Sequence, residues 1–163
     1  MPLAKPLYRS RQVLHALRPA LTQGDIEQAK RLLSPEQAGL FFAMEKRDQR
    51  HAIEVVRRLS ATSVADDCEV LAAALLHDCG KGAVPVWLRI LNVLAPAAVE
   101  HIARDEGGDV PSAAYRLRHH AEIGARLAET AGSTPTTVRL IRGDASPDES
   151  ERLSLLRAAD DAS

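Results

Sequence analysis

The chain has 163 residues, of which 45% are hydrophobic and 26% are charged, and its formal net charge is -1. This length suits one domain with a real core, and the near-neutral charge excludes the strongly basic surface typical of nucleic-acid-binding proteins. Two cysteines are too few for a disulfide framework, and no apolar run reaches the roughly 18 residues of a membrane helix. The sequence therefore predicts a cytoplasmic protein, with neither a membrane nor a nucleic acid as partner.

The predicted elements, taken in chain order, are helices. Ser34 followed by Pro35 predicts a capped helix start, with Gln37 in the capping-box position. Asp48 predicts the N-cap of the next helix and puts His51 in its first turn. The sequence before this helix predicts a helical subregion over residues 1–45, which packs on a domain over residues 46–163.

Similar signals continue to the end of the chain. The segment Asp66-Asp67-Cys68-Glu69 opens an apolar helix that ends in the sequence Leu-Leu-His-Asp-Cys-Gly-Lys, and residues 107–111 predict an exposed loop. Gly132 predicts a helix end. Thr134 and Ser146, each followed by proline, predict two further starts, the last helix running to about Asp161. No alternation typical of strands is present, so we expect an all-α, single-domain bundle of about eight or nine helices.

Polar residues interrupt the apolar faces of these helices. His77 and Asp78 end the most apolar helix. Asp160 falls on the apolar face of the last helix, whereas Arg157 falls on its solvent face. Because a buried charge is costly unless something pairs with it, either these helix ends dip into solvent or a cation or phosphate lies there.

Four elements resemble the HD-domain superfamily of metal-dependent phosphohydrolases. They are His51, the motif His77-Asp78-Cys79-Gly80-Lys81, Asp160 after two alanines, and His120-Ala121-Glu122-Ile123-Gly124-Ala125. The last segment is similar to the His-Pro-Glu-Ile-Gly-Ala helix of many members with the HDIG signature. The resemblance covers residues 45–161 and implies an HD-type helical bundle. It further implies that one divalent ion (Mn, Fe, Co, Ni, Zn or Mg) is held by a set of four ligands: His51, His77, Asp78 and Asp160.

The resemblance also implies an enzyme in which a metal-activated water attacks phosphorus. Lys81 and Arg50 are then candidate phosphate contacts. His120 is a candidate proton donor, phosphate contact or ligand of a second ion. The expected substrate is a small, nucleotide-like phosphomonoester or phosphodiester.

The sequence departs from the family pattern after the HDIG-like helix. Members with two or three metals carry a further His-His pair there, whereas this chain reads Gly143-Asp144-Ala145-Ser146. Asp144 is a candidate ligand in place of that pair; otherwise the second site is lost. The Gly-Tyr-Pro motif of cyclic-dinucleotide phosphodiesterases is also missing, so that substrate is not expected.

Two alternatives to an enzyme stay open. One is a non-catalytic HD domain that binds a nucleotide or a protein partner in signalling. The other is a helical domain whose polar residues only solvate helix ends. The apolar segment around Trp87 could cover the site or form the face of a homodimer, and the sequence does not separate these.

Overall fold

The computed structural model describes residues 21–104 and 108–163. Within these ranges the chain forms nine α-helices and a short 3-10 helix, without any strand, which confirms the predicted all-α fold. Residues 1–20 of the predicted N-terminal subregion lie outside the described residues. The helices are α1 (Gln23–Leu32), α2 (Pro35–Ala43), α3 (Lys46–Leu59), α4 (Cys68–Leu76), α5 (Val86–Leu94), α6 (Pro96–Ile102), α7 (Asp109–Thr130), α8 (Pro135–Arg142) and α9 (Ser150–Asp161), with the 3-10 helix at Pro147–Glu149.

Helix α4 forms the centre of the bundle. Every residue from Val70 to Leu76 is buried, and the helix contacts α1, α2, α3, α8 and α9. A helix that is apolar on all sides is stable only when neighbours surround it. Its C-terminal end therefore lies inside the bundle, and the polar residues His77 and Asp78 follow directly after it.

Helices α1 and α2 belong to the same core. Ala29, Leu33, Phe41 and Met44 are buried in the cluster that α4 organises. A second, smaller cluster forms where α6 packs on α5 and α7, around Leu88, Val99 and other residues: Val84, Ala113, Ala114 and Leu117. No described helix has both the length and the apolar character needed to span a membrane.

Most predicted helix starts are confirmed. The Ser34 side chain accepts from the Gln37 N–H in a capping box, and Asp67 caps α4 by accepting from two backbone N–H groups. Thr134 caps α8, and Ser146 caps the 3-10 helix that leads into α9. Each of these caps joins residues two or three positions apart, which is why a local pattern predicts them.

Two predicted boundaries are wrong. Helix α3 begins at Lys46, so Asp48 lies inside its first turn and does not cap it, and His51 lies in the second turn instead of the predicted first. The Asp48 carboxylate instead accepts two 2.8 Å hydrogen bonds from the Arg89 guanidinium. The loop predicted over residues 107–111 is wrong from Asp109 onwards, because α7 begins at Asp109 and Pro111 lies in its first turn; residue 107 is outside the described residues. Proline is tolerated there since first-turn N–H groups have no helical acceptor.

Candidate functional site

Three distant parts of the chain bring two histidines and one aspartate together. His51 lies in the second turn of α3, His77 follows α4, and Asp160 lies near the end of α9. One ligand atom from each of these side chains lies within 4.8 Å of the other two. His51 Nε2 is 2.7 Å from Asp160 Oδ1, and His77 Nε2 is 3.5 Å from the same oxygen. Because α9 packs on both α3 and α4, the helix packing itself assembles this group.

The fourth predicted ligand, Asp78, is adjacent to the group. Its side chain is 2% exposed, and Oδ1 lies 3.5 Å from His77 Nε2. The same oxygen lies 3.8 Å from His120 Nε2. Asp78 Oδ2 accepts a 2.6 Å hydrogen bond from Lys81 Nζ. Lys81 thus neutralises Asp78 on one side, while the other carboxylate oxygen faces two imidazoles.

Backbone carbonyls set the orientation of two of the imidazoles. His77 Nδ1 lies 2.9 Å from the Ala74 carbonyl, and His120 Nδ1 lies 2.9 Å from the Leu117 carbonyl. A carbonyl oxygen only accepts, so Nδ1 carries the hydrogen in both rings. This leaves Nε2 of each ring directed towards Asp78. Histidines that bind metals are commonly oriented in this way.

Two buried polar atoms in the group lack a hydrogen-bond partner, His77 Nε2 and Asp78 Oδ1. An unsatisfied buried polar atom costs about 1–3 kcal/mol. The two atoms are 3.5 Å apart, and two ligands each about 2.1 Å from one ion at a tetrahedral angle are about 3.4 Å apart. The spacing of these two atoms therefore fits a single divalent ion.

The carboxylates of the group are held in their anionic form. Burial opposes the charge of Asp78, but His77 and Lys81 outweigh it and hold its pKa well below the usual range. Burial likewise opposes the charge of Asp160, but the hydrogen bond from His51 and the charge of the nearby His77 outweigh it and hold its pKa well below the usual range. Burial also opposes a charged His77, yet the two aspartates raise its pKa to about 9. The negative charge can therefore be balanced by a proton on His77 or by a cation.

Two glycines set the distance between α7 and the turn that carries His77 and Asp78. A Cβ placed on Gly80 would lie 2.1 Å from the His120 carbonyl oxygen and 2.6 Å from the Gly124 nitrogen. A Cβ on Gly124 would in turn lie 3.3 Å from the Gly80 nitrogen. The backbone approach permitted at Gly80 thus brings His120 close to Asp78.

Sequence reasoning missed Arg116, which supports the same turn. Its guanidinium donates to the carbonyls of Lys81 at 3.3 Å and Ala83 at 2.9 Å. These bonds hold the segment around Gly82, which has a φ of +57°. Arg116 lies four residues before His120, on the same face of α7, and that spacing was the available signal.

The remaining predicted site residues lie around this group. Arg50 is half-buried and directly precedes His51 in α3. Asp144 is exposed beyond α8, where its Oδ2 lies 3.6 Å from Arg142 Nη1; its role as a second-site ligand stays a prediction. Burial raises the pKa of the Cys79 thiol to about 12, so this neighbour of Asp78 stays protonated.

An open cleft leads to the group between α7, α8 and α9. His77 and Asp160 lie on it together with His120, Arg142 and Arg157, and its other lining residues are mostly apolar: Ala121, Leu140, Ile141, Gly143, Leu153 and Leu156. The two arginines were not among the predicted site residues. Arg157 is exposed, as helical periodicity predicts, and its hydrogen bond to the Gly143 carbonyl at the end of α8 places it beside the cleft.

Comparisons of the chain with protein-family models, curated proteins and solved structures found no match. The likeness to the HD-domain superfamily therefore rests on the sequence motifs and stays a prediction.

Proposed function

We propose that the protein is a metal-dependent phosphohydrolase that acts on a small, nucleotide-like phosphomonoester or phosphodiester. The single observation that carries this proposal is the pair of unpartnered buried atoms, His77 Nε2 and Asp78 Oδ1. They face each other at 3.5 Å next to a second imidazole and a second carboxylate. A divalent cation would partner both atoms and, together with Lys81, would more than balance the two carboxylates.

The residues that would hold this ion are His51, His77, Asp78 and Asp160. Two imidazoles with two carboxylates form a mixed nitrogen and oxygen set, which suits Mn, Fe, Co, Ni or Zn better than Mg. When bound, such an ion lowers the pKa of a coordinated water and so supplies hydroxide near neutral pH. Hydrolysis of a phosphate ester needs this nucleophile together with cations around the phosphoryl oxygens.

Other residues of the chain are placed to contact the substrate phosphate or to add positive charge near it. His120 lies on the cleft, and its pKa is lowered by burial and by the nearby Lys81. It is therefore neutral at pH 7, with Nε2 free to accept a proton or a hydrogen bond. The Lys81 ammonium keeps Asp78 ionised and adds positive charge close to the ligand group. Arg50 is retained as a second candidate phosphate contact.

Metal analysis of the purified chain and its variants tests the proposal. We expect about one ion per chain in the wild type, and its loss in Asp160→Asn, because a carboxamide is a poorer ligand than a carboxylate. Asp161→Asn is the matched control, since Asp161 follows directly but is exposed. Turnover is then screened with nucleotides and generic phosphodiesters in the presence of Mn, Co, Ni, Mg or Zn.

Three outcomes separate the candidate functions. Turnover that persists undiminished in Asp78→Ala means that the assigned centre is wrong. Tight nucleotide binding without a bound ion or turnover indicates the non-catalytic alternative. If neither an ion nor a nucleotide binds, the polar residues only solvate helix ends and the proposal fails.

The homodimer and the cytoplasmic location stay predictions. The surface for a homodimer is the outer side of α5, where large apolar side chains are exposed: Val86, Trp87, Ile90, Val93 and Leu94. Sedimentation equilibrium measures the mass directly. If this surface forms the dimer, Ile90→Glu makes the chain monomeric, because an unpaired charge would be buried in the contact.

A further inference from the structure

The cleft contains an arginine for which the proposed reaction has no role. Arg157 lines the cleft together with His77 and Asp160, and its Nη2 donates a 3.0 Å hydrogen bond to the Gly143 carbonyl. Among the residues that the structure describes, this is the one polar contact of its guanidinium. An arginine side chain has five N–H donors in a planar fork, so most of the donors of Arg157 remain available.

The second arginine of the cleft is already neutralised. Arg142 Nε donates to Glu122 Oε2 at 2.9 Å, and its Nη1 lies 3.6 Å from Asp144 Oδ2. No such acidic partner stands opposite Arg157 in the described part of the chain. Of the two cleft arginines, Arg157 is therefore the one whose charge is available to a ligand.

The position of Arg157 relates it to the ligand group. It precedes Asp160 by three residues on α9, so the two side chains are neighbours on the helix surface and their backbone positions are offset by about 4.5 Å along the axis. Lys81 already balances Asp78. A divalent ion beside Asp160 would leave a net positive charge, to which Arg157 adds another. Such a cleft favours a ligand with more than one negative group.

We propose that Arg157 binds a second anionic group of the substrate. The preferred substrates are then phosphate esters that carry another phosphate or a carboxylate beside the phosphate that is cleaved. This inference rests on the proposed function, because the ion positions the first phosphate. The guanidinium fork can bind either kind of oxyanion through two parallel hydrogen bonds. The Gly143 carbonyl holds it at the cleft, which reduces the freedom lost on binding.

Calorimetric titration of the Mn-loaded full chain with two non-hydrolysable probes tests this. The probes are 3-phosphonopropionate and propylphosphonate, which share a three-carbon chain and differ in the carboxylate. We expect the wild type to bind 3-phosphonopropionate at least about tenfold more tightly. Arg157→Gln removes this preference without changing the affinity for propylphosphonate or Mn. Arg157→Lys restores part of it, since the charge returns without the planar fork.

The control is Arg126→Gln, which removes a guanidinium from the exposed side of α7, where Arg126 pairs with Glu122 at 3.0 Å. We expect this variant to keep the full preference. A third probe, 1,2-ethylenebisphosphonate, tests whether a second phosphate or a carboxylate is preferred. The proposal is supported if this probe or 3-phosphonopropionate binds more tightly than propylphosphonate. Mn binding with no Arg157-dependent preference overturns the inference alone. A wild type that binds none of Mn, Fe, Co, Ni and Zn overturns the proposed function, and the inference with it.

Discussion

Gly80→Ala tests whether the close approach of two backbones builds the site. The Gly80 φ is not among the positive ones of the described glycines, so alanine can adopt the backbone conformation. The added methyl group is then the whole perturbation. It would lie 2.1 Å from the His120 carbonyl oxygen and 2.6 Å from the Gly124 nitrogen. Both obstacles are backbone atoms, which cannot move aside by a change of rotamer.

The size of the effect follows from these contacts. Real Cβ atoms essentially never come closer than 3.0 Å to such a neighbour, so α7 must retreat by about 0.9 Å from the turn after α4. Forcing extra volume into a packed interior costs roughly 1–3 kcal/mol. Because two rigid groups are met at once, we expect Gly80→Ala to lower the free energy of unfolding by about 3 kcal/mol. The His120 ring moves away from Asp78 with its helix.

Urea unfolding followed by circular dichroism measures this loss. The matched control is Gly39→Ala in the middle of α2, where a Cβ would meet nothing within 4 Å. That change should stabilise the chain by roughly 0.5–1 kcal/mol, because glycine is a poor helix former. If the free energy of unfolding of Gly80→Ala lies within about 0.5 kcal/mol of the wild-type value, α7 does not pack tightly on the turn after α4. Gly80 then does not determine the position of His120.

Two further predictions concern ion pairs that the sequence did not reveal. The side chains of Arg89 and Asp48 are 11% and 5% exposed, so Arg89→Met leaves the Asp48 carboxylate buried without its cation. We expect this variant to lower the free energy of unfolding, measured in urea, by about 3–5 kcal/mol. Arg118→Met, which breaks the exposed pair with Glu100, should cost less than about 1 kcal/mol; similar losses in both variants would contradict the role of burial. A hydrogen bond from Arg139 holds the pKa of Glu149 well below its usual 4.5. A group whose pKa is lower in the folded than in the unfolded chain stabilises the fold above pH 4.5, and this stabilisation is lost as the pH falls below 4.5. The difference in unfolding free energy between wild type and Glu149→Gln should therefore shrink from pH 5 to pH 3. A difference that stays constant over this range would refute the prediction.

Local chemistry in the sequence was sufficient for much of the helix pattern. The caps at Ser34, Asp67 and Thr134 satisfy backbone N–H groups only a few residues away, so neighbouring residues alone specify them. The apolar run up to Leu76 likewise predicted a helix. The same kind of reasoning failed at Asp48, because its partner Arg89 lies 41 residues further along the chain. The ion pair with Arg89 is a tertiary contact, and the residues next to Asp48 in the sequence do not reveal it.

The site shows the same division. Periodicity along α9 put Asp160 on the apolar side, and His77 and Asp78 stood out because charge follows an apolar helix. Spacing along the chain could not show that His51 and Asp160 lie 2.7 Å apart, since that distance depends on how α3, α4 and α9 pack. Arg157 is exposed, as that periodicity predicts, but the spacing could not show that Gly143 holds its guanidinium beside the cleft. A helix defines which residues share a face, but only the helices packed against it define what that face meets.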